Sequence, residues 1–306
     1  MKVVVVGLGI QGTKRLTVAG PDVVATVDPI HPGAGFRSLA EVPLDTFEAA
    51  LVCTPDAAKL ELLGYLLGHG KHVLVEKPLV ASDESALETL AAVAKRAAVV
   101  CYTAYNHRFE PNFVRMKALL DSGRLGRIYR CRMFYGNGTA RDVRGSWRDR
   151  DAGVLPDLGS HLLDTVLFWF GARDHHFRVI SCRRFENAAF DHIVLGSDGQ
   201  PSLELEMTLL SPRNHFTCDV LAEQGSAHIE SLCKWGPATF RHRRRKLPSG
   251  RPDEEAVTLV QPDPTWQLEY EHFTALCEGG EGNIANDLWI NRELNRLSAE
   301  ALRRPV

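Results

Sequence analysis

Three glycines, Gly7, Gly9 and Gly12, follow a run of four valines in MKVVVVGLGIQG. After a buried strand this spacing suits a diphosphate. Gly7 permits a tight turn, Gly9 lets the backbone approach the phosphates, and Gly12 lets the next helix lie close on the sheet. The helix N-terminus then offers unpaired N–H groups and a partial positive charge to an anion. Asp28 ends the next Val-rich run, close to the ~20-residue spacing at which a carboxylate meets the ribose hydroxyls of a dinucleotide. A carboxylate there repels a 2′-phosphate, so the pattern predicts NAD over NADP, with Arg37 as the nearby counter-signal.

Two further groups could carry chemistry. Glu76-Lys77-Pro78 closes a fourth Val-rich run, and a doubly wound sheet holds ligands outside the carboxyl ends of its strands. Lys77 is thereby aimed at the reactive end of a dinucleotide. It can donate to a substrate oxygen, but acting as a base requires its ordinary pKa of ~10.4 to be lowered by burial or neighbouring positive charge. A solvated lysine at a strand end is the competing reading. In LPDLGSHLLD, Asp157, His161 and Asp164 fall at i, i+4 and i+7 on one helix face, while Leu162, Leu163, Val166, Phe168 and Trp169 read as core. A histidine with a carboxylate one turn before it can be held in one tautomer and exchange a proton near neutral pH. A lone helical histidine is more often structural, and neither a third ligand nor HExxH spacing supports zinc, so no metal is expected.

The stretch GNGTARDVRGSWRDRDAG, residues 136–153, holds Arg141, Arg144, Trp147, Arg148 and Arg150. Arginine binds phosphate or carboxylate bidentately, and tryptophan stacks on a sugar face. The interleaved Asp142, Asp149 and Asp151 equally suit a self-neutralised surface loop. The run RHRRRK at 241–246, followed by PSGRPDEE, reads as an exposed hairpin with its own counter-charges.

The elements that must position these groups come in two textures. Residues 1–105 alternate short Val-rich runs at 2–6, 23–28, 49–54, 72–76 and 99–102 with helical patterns at 10–18, 56–69 and 83–95, the last with Ser82 as N-cap. This is the pattern of βα units around a buried parallel sheet. Residues 29–48 are rich in Pro and Gly and read as loop with a short helical turn near 37–41. After a helix at about 108–122 come alternating runs at 127–135, 177–185, 192–196, 202–210, 215–222, 227–230 and 238–245, with a helix at 157–170 and two closing helices at 266–277 and 284–302. The expected fold is α/β: an N-terminal doubly wound parallel sheet of Rossmann type over residues 1–120, then an α+β domain over 121–306 with a mostly antiparallel open sheet, whose terminal helix could pack back on the first domain.

Composition excludes several classes. The 306 residues are 44% hydrophobic and 24% charged, as in globular proteins rather than disordered or coiled-coil chains. Lys+Arg 36 against Asp+Glu 38 leaves a net charge of -2, so no global field draws nucleic acid or anionic lipid. Seven cysteines, an odd number without CxxC spacing, fit reduced thiols. The amino-terminal apolar run is too short for a signal-peptide core, and no stretch approaches ~18 apolar residues. A cytoplasmic protein is expected, with neither membrane nor nucleic-acid partner.

The motifs MKVVVVGLGIQG, CTPDAAKLELLGYLLGHGKHVLVEKPLV, AYNHRF and GVLPDLGSHLLD, in this order, resemble those of the glucose-fructose oxidoreductase, inositol dehydrogenase and MocA family of NAD(P)-dependent oxidoreductases. The resemblance covers almost the whole chain, and EKP followed by a DxxxH helix is its most specific part. It departs at DAGVLPDLGSH, where relatives often read GGGxLxDxGxH; Pro156 suits a helix start, so loop shape is affected more than chemistry. The resemblance implies Lys77 as the active-site lysine, with a cis Lys77-Pro78 bond, and Asp157 and His161 as the DxxxH pair. It implies a cofactor set of Gly7, Gly9, Ile10, Gln11, Gly12, Asp28, Thr54, Pro55, Glu76, Lys77 and Asn106. Lys77, His107, Arg141, Arg144, Trp147, Arg148, Asp157 and His161 would meet the substrate. The implied activity is hydride transfer between NAD and a CH–OH or C=O carbon of a sugar, polyol or nucleotide sugar, in a homo-oligomer formed through the second domain's sheet. An NAD-dependent glycosidase and a non-catalytic NAD-binding regulator are the alternatives, since one fold hosts several functions.

Overall fold

The computed structural model describes residues 1–171 and 175–304; the side chain of Trp147, expected to meet the substrate, lies outside the described residues. The chain forms two compact units, residues 1–106 with 264–292 and residues 107–263 with 293–306. The described elements run β1 (Val3–Val6), α1 (Ile10–Ala19), β2 (Val23–Val27), β3 (Ala49–Val52), α2 (Asp56–Gly68), β4 (His72–Glu76), α3 (Glu84–Ala97), β5 (Cys101–Ala104) and α4 (Pro111–Asp121). They continue with β6 (Ile128–Gly136), α5 (Ser160–Phe170), β7 (Arg178–Arg183), β8 (His192–Ser197), β9 (Ser202–Thr208), β10 (His215–Ala222), β11 (Gly225–Glu230), β12 (Ala238–Arg244), β13 (Asp253–Leu259), α6 (Thr265–Cys277) and α7 (Ile284–Leu302).

In the first unit five parallel strands stand in the order β2-β1-β3-β4-β5. The chain's direction across the sheet reverses at β1 and β3, the switch point beside which such sheets bind ligands. Strands β1 and β3 are buried along their whole length, which is why they read as unbroken apolar runs rather than alternating ones. One sheet face is covered by Leu63, Leu66 and Leu67 of α2 with Leu87 and Leu90 of α3. On the other, Tyr270 and Phe273 of α6 join Val3, Val5, Ala49, Leu51 and Leu74. Residues 264–292 therefore belong with the first unit, although they follow the second in sequence. Burying a Phe such as Phe273 contributes roughly 1.5–3 kcal/mol, which explains why an open face of the parallel sheet recruits a distant helix. Helix α3 is capped by Asp83, whose carboxylate accepts from Ser85 N–H at 3.0 Å, and not by Ser82. Either residue type can cap; the helix begins one residue later than the pattern suggests.

The second unit holds an eight-stranded sheet, β13-β12-β11-β10-β6-β9-β8-β7. Only β6 and β9 run parallel; every other pairing in it is antiparallel. Phe113 of α4 packs against Trp169 of α5 and Phe216 of β10, with ring centroids 4.9 and 4.8 Å apart. That contact puts α4 in this unit, so the compact units separate at residue 106 and not near 120.

Two details depart from the sequence pattern. The helix expected from residue 157 starts as a π-helical turn, Leu155–Gly159, before α5 continues. A Cβ on Gly159 would come within 2.9 Å of Met207 Sδ, so this turn lies hard against β9. The second departure is β13, an exposed edge strand with little apolar content to announce it. Its acidic residues face the basic run of β12: Arg243 pairs with Glu254 at 2.6 Å, and Lys246 with Asp253 at 3.0 Å. The run at 241–246 is thus matched by its own hairpin, in exposed pairs that contribute roughly 0–1 kcal/mol each.

Candidate active site

The first unit supplies a cradle for an anion at the end of β1. Gly7 has φ +90°, and a Cβ there would meet Cys53 O at 2.7 Å; a Cβ on Gly12 would meet Gly7 O at 1.8 Å. Close packing therefore accounts for both glycines. It does not account for Gly9, whose Cβ would have nothing within 4 Å. Gly9 is the N-cap of α1, no side chain caps that helix, and no acidic residue sits in its first turn. The N–H groups at the start of α1 and the adjoining open surface fit a diphosphate. Ile10 and Gln11 are exposed beside it, as is Ile30 just beyond β2. The Thr54 hydroxyl is buried with no partner among the described residues.

Asp28 is nine-tenths buried and accepts from Leu8 N–H at 2.8 Å, Ile30 N–H at 2.9 Å and His31 N–H at 2.8 Å. The Leu8 bond leads the causes holding its carboxyl below the usual range. Two carboxylate oxygens have about four acceptor positions, so room for ribose hydroxyls remains after three bonds. Arg37 donates to His31 O at 2.8 Å, which turns it toward backbone of this same loop. Pro55 is exposed after Thr54, and Asn106 donates to Thr265 Oγ1 at 2.8 Å.

The Glu76-Lys77-Pro78 turn is held by two buried cations that the sequence does not single out. Arg15 of α1 donates to Glu76 at 2.8 Å and to Glu269 of α6 at 2.6 Å, and its guanidinium lies 4.3 Å from the Trp266 ring centroid. Lys59 of α2 donates to Pro78 O at 2.8 Å and pairs with Asp56 at 2.7 Å; burial lowers its pKa. Lys77 is half-buried between these anchors, and the Lys77-Pro78 bond is cis. Nothing in the periodicity marks Arg15 or Lys59, because their bonds to Glu76, Glu269 and Pro78 O reach across the sequence.

The second unit builds a compact cluster around His161. The His161 and His107 rings stack with centroids 4.1 Å apart and planes 19° from parallel. Tyr135 of β6 closes on both, at 5.3 Å from His107 and 5.9 Å from His161. Burial, and then the charge of Asp157, raises the Tyr135 pKa well above its usual value, so this phenol is a neutral donor at physiological pH. Trp235 lies 5.8 Å from Tyr135, and Lys234 Nζ sits 3.3 Å from His107 Nε2. Sequence reading identified His107 and His161 but missed Tyr135, Lys234 and Trp235, which arrive from the sheet and from one turn.

Asp157, expected to orient His161, holds Arg148: Arg148 Nε and Nη2 both donate to its Oδ2. Asp164, on the same helix, is fully buried and bound by Arg108, with Nη2 to Oδ1 at 2.6 Å and Nε to Oδ2 at 2.9 Å, which makes it a structural ion pair. Arg141 and Arg144 turn to Glu186, Arg141 Nε at 3.0 Å from the carboxylate and Arg144 Nε at 3.1 Å from the carbonyl. Of the loop arginines named as substrate ligands, the structure brings Arg148 beside the DxxxH pair and directs Arg141 and Arg144 to an exposed turn.

A parallel sheet with a glycine turn and a lysine at its strand ends, and an open mixed sheet bearing two stacked histidines, are the two parts of a nicotinamide-dependent oxidoreductase fold. Residues 1–105 match the oxidoreductase family with NAD-binding Rossmann fold, and residues 113–228 match the GFO/IDH/MocA C-terminal domain. The chain belongs to the Gfo/Idh/MocA family of NAD(P)-dependent oxidoreductases. It is 24% identical to an NAD+-dependent scyllo-inositol 2-dehydrogenase of Bacillus subtilis over 98% of this chain and 93% of that one. It is 34% identical to an NADP+-dependent scyllo-inositol 2-dehydrogenase of the same organism, over 44% of this chain and only 38% of the relative. Among solved structures, levoglucosan dehydrogenase in complex with NADH has a similar fold, with a TM-score of 0.83 at 17% identity over 99% of this chain and 97% of that one. Among the described residues no helix is long and apolar enough to cross a membrane.

Proposed function

We propose that the protein is an NAD-dependent dehydrogenase acting on a CH–OH carbon of a sugar-like or polyol substrate. When bound, the nicotinamide supplies the hydride acceptor; the chain's own residues bind, orient and move the proton. Lys77 donates to the reacting oxygen, His161 takes the hydroxyl proton, and Asp157 with Arg148 fixes the substrate beside it. The observation that carries this reading is the stacked, buried His107–His161 pair bordered by Tyr135, Trp235 and the Asp157–Arg148 ion pair. A neutral imidazole, a phenol and an indole face offer a base, a donor and a stacking surface, the set that a polyhydroxylated ring requires. Screening NADH formation across polyols, sugars, sugar acids and nucleotide sugars tests it. Reduction of NAD by none of them defeats the reading.

Choice of cofactor follows from Asp28. Three N–H donors keep its charge in place, and that charge opposes a 2′-phosphate. NAD is therefore expected to bind more tightly than NADP, and Asp28→Ala to narrow the gap. Calorimetry giving the wild type an NADP preference sinks the proposal.

The three loop arginines are expected to separate. Arg148→Ala removes a partner of Asp157 and is expected to raise KM by roughly 10- to 100-fold, since a charge-assisted bond contributes about 1.5–3 kcal/mol. Arg141→Ala and Arg144→Ala, whose side chains are exposed at Glu186, are expected to change KM less than about threefold, within surface-pair energies. Equal losses in all three variants would assign the whole loop to the substrate.

The same reading includes a cytoplasmic setting, consistent with seven free thiols, and a homo-oligomer assembled through the outer face of the eight-stranded sheet. That face carries Arg130 and Arg132 paired with Glu204 and Glu206. Light scattering that finds a monomer at all concentrations removes the oligomer from the proposal.

A further inference from the structure

The short turn Cys233–Trp235 between β11 and β12 is fastened to the segment that carries His107. Glu110, only 1% exposed, accepts from Cys233 N–H at 3.2 Å and from Cys233 Sγ at 3.0 Å. The next residue, Lys234, places its Nζ 3.3 Å from His107 Nε2 and 4.6 Å from the Trp235 ring centroid. An ammonium has three donors and no acceptor, so a bond of this geometry requires Nε2 of His107 to be the acceptor. His107 is then neutral, with its proton on Nδ1.

Deepening the reading of His161 as proton acceptor, we propose that Lys234 is a positioning residue of the active site, whose ammonium locks His107 in the neutral Nδ1–H tautomer and leaves His161 as the one ring of the stack that takes up a proton. A proton on His107 would face the Lys234 ammonium at 3.3 Å. A proton on His161 is one ring further from that ammonium, His161 being stacked on His107 at 4.1 Å between centroids. In the transfer, the substrate O–H bond breaks and an N–H bond forms on His161, which becomes an imidazolium stacked on a neutral ring.

The charged or titratable groups described around the pair are consistent with this order. Asp157 is ion-paired with Arg148, Asp164 with Arg108, and Tyr135 is held neutral by burial. Burial leads the causes that raise the Glu110 pKa, with the Asp263 charge adding to it, and Cys233 is pushed up to about 12. Glu110 therefore serves to seat the turn, while Lys234 supplies the cation that faces His107.

Imidazole nitrogen NMR of histidine-labelled protein reads the tautomer without any substrate. The His107 signal, among 12 histidines, is assigned by its loss in His107→Gln. In the wild type His107 is expected to show the neutral Nδ1–H pattern down to about pH 5.5, below the ordinary imidazole midpoint of ~6.5. Lys234→Met is expected to raise its midpoint by about one unit or more, and Lys234→Arg to keep the wild-type pattern, because removing a like charge favours the charged ring. A protonated or Nε2–H His107 in the wild type at neutral pH overturns the proposal, as does an unchanged midpoint in Lys234→Met. With a substrate in hand, Lys234→Met is also expected to move the acid limb of kcat/KM to higher pH. If the tautomer is as stated and that limb does not move, the lock on His107 stands and His161 as proton acceptor fails.

Discussion

His161→Ala is expected to bind NAD with wild-type affinity and to lose about 100- to 10,000-fold in kcat, the range removed with a general base. The ring is 6% exposed, stacked on His107 and edge-on to Tyr135. No water replacing it would be oriented in the same way. The glycine turn after β1 lies in the first unit, so cofactor affinity measured by calorimetry separates loss of catalysis from loss of fold. Asp157→Asn is expected to lose less, because its bonds to Arg148 place the substrate side of the site without accepting the proton. Lys77→Ala is expected to be poor in kcat as well, since the reacting oxygen loses a charged donor. Full activity in His161→Ala, with the best polyol of the screen, removes the proposed mechanism and leaves the cofactor site standing.

The second large effect is on stability. Arg15 is 1% exposed and bridges Glu76 and Glu269, itself fully buried. Despite desolvation, the two carboxylates hold its pKa above the ordinary arginine value, so the guanidinium is charged throughout the physiological range. Arg15→Met removes the guanidinium that bridges the carboxylates of Glu76 and Glu269. Removing one partner of a buried ion pair costs about 3–5 kcal/mol, to be read as a lower urea midpoint at unchanged slope. Arg15→Met combined with Glu269→Gln is expected to regain part of the loss, because one of the two carboxylates that Arg15 bridged is then neutral. An unchanged midpoint in the single variant shows that the triad contributes nothing to stability. The same triad anchors the residue before Lys77, so destabilisation here is expected to weaken catalysis without any change at Lys77 itself.

The parts legible in sequence are those whose signal is local. GLGIQG announces its turn because Gly7 and Gly12 each face backbone within a few residues or at the neighbouring strand end. The buried strands β1 and β3 appear as unbroken apolar runs, and Asp28 follows the Val-rich edge strand β2. The DxxxH pattern and EKP carried the family, and with it the expectation for Lys77, Asp157 and His161; AYNHRF carried the expectation for His107. What tertiary structure alone decided has no such period. Helix α6 joins the first unit because an open apolar sheet face recruits Tyr270 and Phe273 from beyond residue 260, and one amphipathic helix looks like another until its partner is known. The edge strand β13 escapes detection because its residues are almost all exposed and open on an acidic run, and it pairs through backbone and charge rather than through burial. Charged side chains are the least predictable of all: Arg15 selects Glu76 and Glu269, Arg148 selects Asp157, and Lys234 selects His107. Ion pairs form wherever folding sets two long side chains a few ångströms apart, and that distance is a property of the packed chain, not of the spacing along it.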